Sequence, residues 1–133
     1  MHILIVDDHA FVCEGLKTTL IDTLDDIQVT TTERGEEVLS ILSQNEIDLI
    51  ILDLFMPGGY GGFGLIGLLH ERHPCLPIIV LSASENSVHI RKCLDLGVTG
   101  FVTKSAPKES LFEAISKALD GERYVPKYLI EAL

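Results

Sequence analysis

Asp7, Asp8, Asp53, Ser82 and Lys104 are the side chains here whose types and spacing could do chemistry together. In "ILIVDDHA" (3–10) an apolar run ends on two adjacent carboxylates. Strand side chains alternate faces and neighbouring acids repel, so neither acid serves a core and a cation is expected beside them. Asp53 closes the run "DLIILD", Ser82 closes "PIIVLS" and Lys104 follows "GFVT". Three carboxylates raise one another's pKa unless a cation lies among them. Oxygen donors alone select a hard divalent ion, and Mg2+ suits few carboxylates, several waters and a phosphate. Lys104 can pair with one phosphoryl oxygen, and Ser82 can donate a hydrogen bond to another. A carboxylate nucleophile gives an aspartyl-phosphate, with catalysis by positioning and charge neutralisation and no general base. Asp53, between the acid pair on one side and Ser82 and Lys104 on the other, is the best-placed acceptor.

These residues converge only if particular elements carry them. Apolar runs at 2–6, 27–31, 48–52, 77–82 and 100–103 are rich in Ile and Val. Several are apolar on consecutive residues, which suits strands covered on both faces. Between them Val12, Leu16 and Leu20, then Val38, Ile41 and Leu42, then Leu111, Ile115 and Leu119 fall at helical spacing. Gly97 marks a helix end after "CLDL", and Pro107 falls in the first turn of the last helix. Region 86–96 is the most polar of the helices and is expected to be the least firmly docked.

Five β–α repeats predict an α/β fold, a doubly wound parallel sheet with helices on both faces. Its functional crevice lies at the carboxyl ends of the strands, near the switch in strand order. In a flavodoxin-like order of 2-1-3-4-5, strands 1, 3, 4 and 5 are neighbours, and they end in the five residues above. Edge strand 2 ends in threonines.

At 133 residues the chain makes one domain. Its formal charge of −10 argues against nucleic-acid binding by this segment's own surface, which would need clustered Lys and Arg. Cys13, Cys75 and Cys93 are odd in number and far apart, which disfavours a disulfide framework or a zinc site and fits a reducing cytosol. No apolar stretch approaches a membrane span, so a cytoplasmic protein is expected.

The motifs "ILIVDDH", "DLIILDLFMPGG", "PIIVLSA" and "GFVTKS" make the chain resemble a response-regulator receiver domain, the phosphoryl-accepting half of two-component signalling. The ending "SAPKESLFEAISKALDGERYVP" is similar to the subgroup whose receiver precedes a LuxR-type helix-turn-helix domain. The resemblance implies a receiver over 1–121, with 122–133 as a tail or the start of a linker. It implies that Asp53 accepts a phosphoryl group from a histidine kinase. Asp8, Asp53 and the backbone carbonyl of Phe55 would bind Mg2+ directly, with Asp7 acting through water. Ser82 would move to the phosphoryl group, Lys104 would pair with it, and Phe101 would change rotamer with Ser82. Helix 86–96, strand 5 and helix 107–119 would form the face that partners read, and a homodimer is one arrangement the family uses.

Three departures from the family pattern stand out. The loop "PGGYGGFG" lacks the usual Asp and is one residue longer. Lys104 precedes Ser105 where many receivers have proline, and a cis 104–105 bond is expected. Phe55 is bulky where side chains affect water access. His9 reads as an exposed residue opening helix 1, not as a metal ligand. Gly59 to Gly64 fits G-x-G-x-x-G, but Pro57 and its neighbours separate it from strand 3, so a plain loop is the better reading. Two other functions fit parts of the pattern. An aspartyl-nucleophile phosphatase would want D-x-D and a cap domain, and a pseudo-receiver would bind without becoming phosphorylated.

Overall fold

The computed structural model describes residues 1–55, 62–125, 127 and 130. The chain alternates strand and helix: β1 (His2–Val6), α1 (Ala10–Thr23), β2 (Gln28–Thr32), α2 (Val38–Gln44), β3 (Leu49–Asp53), α3 (Gly62–Arg72), β4 (Ile78–Ser82), α4 (Ser87–Asp95), β5 (Gly100–Thr103) and α5 (Lys108–Leu119). All pairings are parallel and the strand order is β2-β1-β3-β4-β5, as the repeat pattern requires.

β1, β3, β4 and β5 are buried along their whole length, and their alternate residues feed two separate cores. Leu4, Ile50, Leu52, Val80 and Phe101 face α3 and α4, which contribute Ile66, Leu69, Ile90 and Cys93. Ile3, Ile5, Ile51, Ile79 and Val102 face α1 and α5, which contribute Leu20, Leu111, Ala114 and Ile115. A strand buried on both sides cannot alternate polar and apolar residues, which is why these runs are uninterrupted.

The helices differ from expectation in detail. Pro107 is the N-cap of α5 and not part of its first turn. Leu119 is exposed, and Ala114 and Ala118 complete the buried stripe, because the register of 3.6 residues per turn drifts away from steps of four. α4 buries Ile90 and Cys93, whereas α2 buries Val38 alone, so α4 is not the least embedded helix. The Lys104–Ser105 bond is trans, as are all peptide bonds among the described residues. Without proline a cis bond costs about 2.5–4 kcal/mol. Here the Lys104 N–H already donates to Ser82 O at 2.7 Å.

α4 and α5 end in the same way. Gly97 (φ +97°) and Gly121 (φ +78°) each follow the helix by two residues. After α5 the Gly121 N–H donates to Ala118 O and the Glu122 N–H to Lys117 O; after α4 the Gly97 N–H donates to Leu94 O and the Val98 N–H to Cys93 O. This paired closure needs a left-handed residue, which glycine adopts without a Cβ penalty.

Candidate functional site

The register builds the site. Val6 pairs with Leu52, so Asp7 falls level with Asp53. Asp53 pairs with Leu81, which puts Ser82 one residue beyond it, and Ser82 pairs with Thr103, which puts Lys104 one beyond again. Residues far apart in sequence thus follow one another along the carboxyl edge of the sheet.

A common local device turns the chain out of three of these strands. The Asp7 Oδ1 accepts from the His9 N–H at 2.9 Å, the Asp53 Oδ1 from the Phe55 N–H at 3.3 Å, and the Ser82 Oγ from the Ser84 N–H at 3.0 Å. Short polar side chains form such turns with their own backbone two residues on. Each carboxylate therefore commits one oxygen to the turn and leaves Oδ2 free to face the pocket. The turns fix the acids before any ligand arrives.

Asp7, Asp53 and Ser82 are buried, and Asp8 is half-buried. The Lys104 Nζ lies 2.9 Å from Asp7 Oδ2 and 3.4 Å from Asp53 Oδ2, so it leans toward Asp7. His9, which caps α1, places Nδ1 2.9 Å from Asp7 Oδ1 and 3.2 Å from Asp8 Oδ1. Beyond these ionic contacts Asp7 Oδ2, Asp8 Oδ1 and Asp53 Oδ2 are buried oxygens that accept no hydrogen bond. One donor atom from each of Asp7, Asp8, His9 and Asp53 lies within 4.8 Å of all the others.

The electrostatics follow from that crowding. Burial pushes the Asp53 carboxyl above its ordinary value, the charge of Asp7 adds to this, and Lys104 opposes it only in part. Burial alone would lower the Lys104 ammonium, but its close contact with Asp7 and the charges of Asp53 and Asp7 outweigh that and raise it. Three acids against one fully committed lysine leave negative charge in excess. Unpaired buried carboxylate oxygens are costly unless a cation satisfies them. The donor set fits a hard divalent ion, mostly oxygen with one imidazole at its margin.

Sequence reasoning placed Asp7, Asp8, Asp53, Ser82 and Lys104 on one rim, and the structure brings them there. It missed the approach of the His9 ring to both acids; only its position next to the pair hinted at this. Ser82 is fully buried and held by Ser84, whose Oγ accepts from the Asn86 N–H at 3.1 Å and shares a hydrogen bond with His89 Nδ1. Phe101 is buried in the core beneath α4, and half-exposed Phe55 meets the His89 ring edge-on at 5.1 Å. The glycine-rich loop lies largely outside the described residues, and so does the comparison of its length with the family pattern.

The fold and the site together define a doubly wound α/β domain with a metal-competent acidic pocket at its switch in strand order. The response regulator receiver domain family matches residues 3–116, and the chain belongs to that family. It is 36% identical over 129 residues to the glycerol metabolism activator of Pseudomonas putida, covering 96% of this chain and 58% of that protein. It is 30% identical to the oxygen regulatory protein NreC of Staphylococcus carnosus, covering all of this chain and 61% of NreC. Its structure matches the isolated REC domain of RcsB from Salmonella enterica serovar Typhimurium, solved with phosphomimetic BeF3−, at a TM-score of 0.91 and 28% identity, over 100% and 98% of the two chains. A LuxR family DNA-binding response regulator from Silicibacter pomeroyi matches at 0.85 and 29%, over 96% and 98%. The chain spans about three-fifths of the length of the curated relatives it matches. Phosphorylation-dependent switching is the function of the family, and these relatives support the LuxR-type subgroup.

Proposed function

We propose that Asp53 is the phosphoryl acceptor of this receiver, taking its group from the phosphohistidine of a histidine kinase. The observation that carries this is the Asp53 Oδ2: it is buried, accepts no hydrogen bond, and lies beside the one ammonium of the pocket. In the transfer that oxygen forms the new O–P bond as the P–N bond of the donor breaks. Water later cleaves the acyl phosphate, returning the carboxylate and inorganic phosphate, in part through the domain's own activity. Lys104 is freed from Asp7 to pair with a phosphoryl oxygen, and Ser82 exchanges its bond with the Ser84 N–H for one to the phosphoryl group.

Asp8, Asp53 and the Phe55 carbonyl would hold Mg2+, with Asp7 reached through water. Bound there, the ion supplies the positive charge that lets a phosphate approach three acids. Ser82 and Phe101 form the switch. The regulated output is a LuxR-type DNA-binding domain, a reading supported by the family likeness and by the similarity to the LuxR family DNA-binding response regulator of Silicibacter pomeroyi. The three free thiols agree with a cytoplasmic setting, and among the described residues no helix is long and apolar enough to cross a membrane.

The test uses Mg2+ with acetyl phosphate or beryllofluoride, reading intact mass and NMR shifts in wild type and Asp53→Asn. Acetyl phosphate adds one phosphoryl mass, and beryllofluoride shifts resonances, only with Mg2+ and only with Asp53 intact. If Mg2+ binds but neither donor changes wild type, the acceptor reading fails and a binding-only receiver takes its place.

A further inference from the structure

β5 is the edge strand of the sheet beside β4, and such an edge offers unpaired backbone groups to any chain that comes near. Here the chain's own continuation occupies it. After the turn at Gly121, residues 122–125 reach β5, where Tyr124 forms a parallel bridge with Gly100. The Tyr124 N–H donates to Thr99 O at 2.9 Å, and the Phe101 N–H donates to Tyr124 O at 3.0 Å. The next two side chains go to opposite cores, as in a strand: Tyr124 packs against the α1–α5 side and Val125 against the cluster holding Phe101. Arg123 anchors the same segment to another element, donating from Nη2 to Leu94 O at 2.7 Å. A Cβ on Gly100 would meet Tyr124 O at 3.5 Å and Ile79 at 3.4 Å, ordinary contacts, so the seat of the strap does not depend on a glycine there.

We propose that residues 122–125 act as a sixth, edge strand, a strap that docks the following chain onto β5 and the carboxyl end of α4, and that occupation of the acidic pocket loosens it. The coupling path is short. β5 is four residues long; the strap bridges its first residue, and Lys104, which the pocket holds, follows its last. Phe101 is tied to the strap twice, by its backbone N–H and through the cluster on which Val125 rests. The strap fits β5 with Phe101 in its present buried position. Rearrangement of Lys104, Ser82 and Phe101 disturbs the seat of Val125 and the strand to which Tyr124 is bonded. This part rests on the acceptor reading above.

Amide exchange in the 133-residue chain, read residue by residue by NMR, tests it. In ion-free wild type the Tyr124 and Phe101 amides exchange slowly. Tyr124→Pro removes the donor to Thr99 and speeds exchange at Phe101 at least tenfold, while Leu52 and Val80 keep their protection as controls of the fold. Beryllofluoride with Mg2+ speeds exchange at Tyr124 and Phe101 at least tenfold in wild type and leaves Asp53→Asn unchanged. Coupling is reciprocal, so Tyr124→Pro also tightens beryllofluoride binding by the factor the ligand loosens the strap. Unaltered Phe101 exchange in Tyr124→Pro overturns the strap. Slower or unaltered exchange in wild type whose resonances report the adduct overturns the coupling. Failure of the adduct to form counts against the acceptor reading instead, and the strap is then judged on Tyr124→Pro.

Discussion

Asp53 is held where a carboxylate is least comfortable: buried, level with Asp7, and second in line for the Lys104 ammonium. Its raised pKa means that the folded state disfavours its charge relative to the unfolded chain. Below the ordinary value of 3.8 both states carry the proton and Asp53 costs nothing extra. As pH rises from 3.8 through the folded value, the unfolded chain ionises first and the ion-free fold is weakened; above the folded value the penalty stays constant. Asp53→Asn should therefore stabilise the ion-free protein at pH 7. The gain should shrink toward acid pH. Loss of the Lys104 contact offsets little, because Asp7 keeps the ammonium at 2.9 Å. Urea midpoints at several pH values in a chelator would check this, and a destabilised variant at pH 7 would refute it. Mg2+ should reverse the order, stabilising wild type as mass action requires and leaving the Asp53→Asn variant behind. At this scale the acids, Ser82 and Lys104 were legible because strand ends announce themselves. The His9 contact and the preference of Lys104 for Asp7 were not, because rotamers and ångström distances leave no pattern in a sequence.

Elements were legible to the degree that periodicity dictates them. β1 and β5 fall where their Ile/Val runs predict, and β2 and β3 are shifted by one residue, within the uncertainty of strand ends. What escaped was anything that depends on contact between elements. Steps of four cannot tell exposed Leu119 from buried Ala118. The strap has only "RYV" to advertise a strand, too short for an alternation to register, and it exists because Gly121 aims it at a vacant edge. Two glycines illustrate how context sets the sign of a substitution. Gly15 lies inside α1, exposed, with nothing within 4 Å of a new Cβ. Gly15→Ala should stabilise by roughly 0.5–1 kcal/mol through the entropy of the unfolded chain. Gly121 has equal room but a φ of +78°, so Gly121→Ala should cost about 1 kcal/mol and loosen residues 122–125 with it. Chemical denaturation of both variants gives shifts of opposite sign; shifts of the same sign would show that space, and not backbone conformation, governs these sites.

Across the whole molecule, twenty Asp and Glu against ten Lys and Arg leave a charge of −10 on a small domain. The pocket concentrates part of that charge, but ion pairs elsewhere, such as Arg34 with Glu36 and Lys117 with Glu122, are exposed and worth little. The fold therefore stands against its own repulsion, held by the two cores on either side of the sheet. Screening should relieve it. Raising NaCl from about 0.01 M to about 0.15 M shortens the Debye length from about 30 Å to about 8 Å. The urea midpoint of the ion-free protein should rise at pH 7 over that range. Near the sequence isoelectric point of about 4.7 the net repulsion is gone, and the rise should disappear with it. An increase of equal size at both pH values would instead assign the effect to strengthened apolar burial, which salts also produce and which does not depend on protein charge.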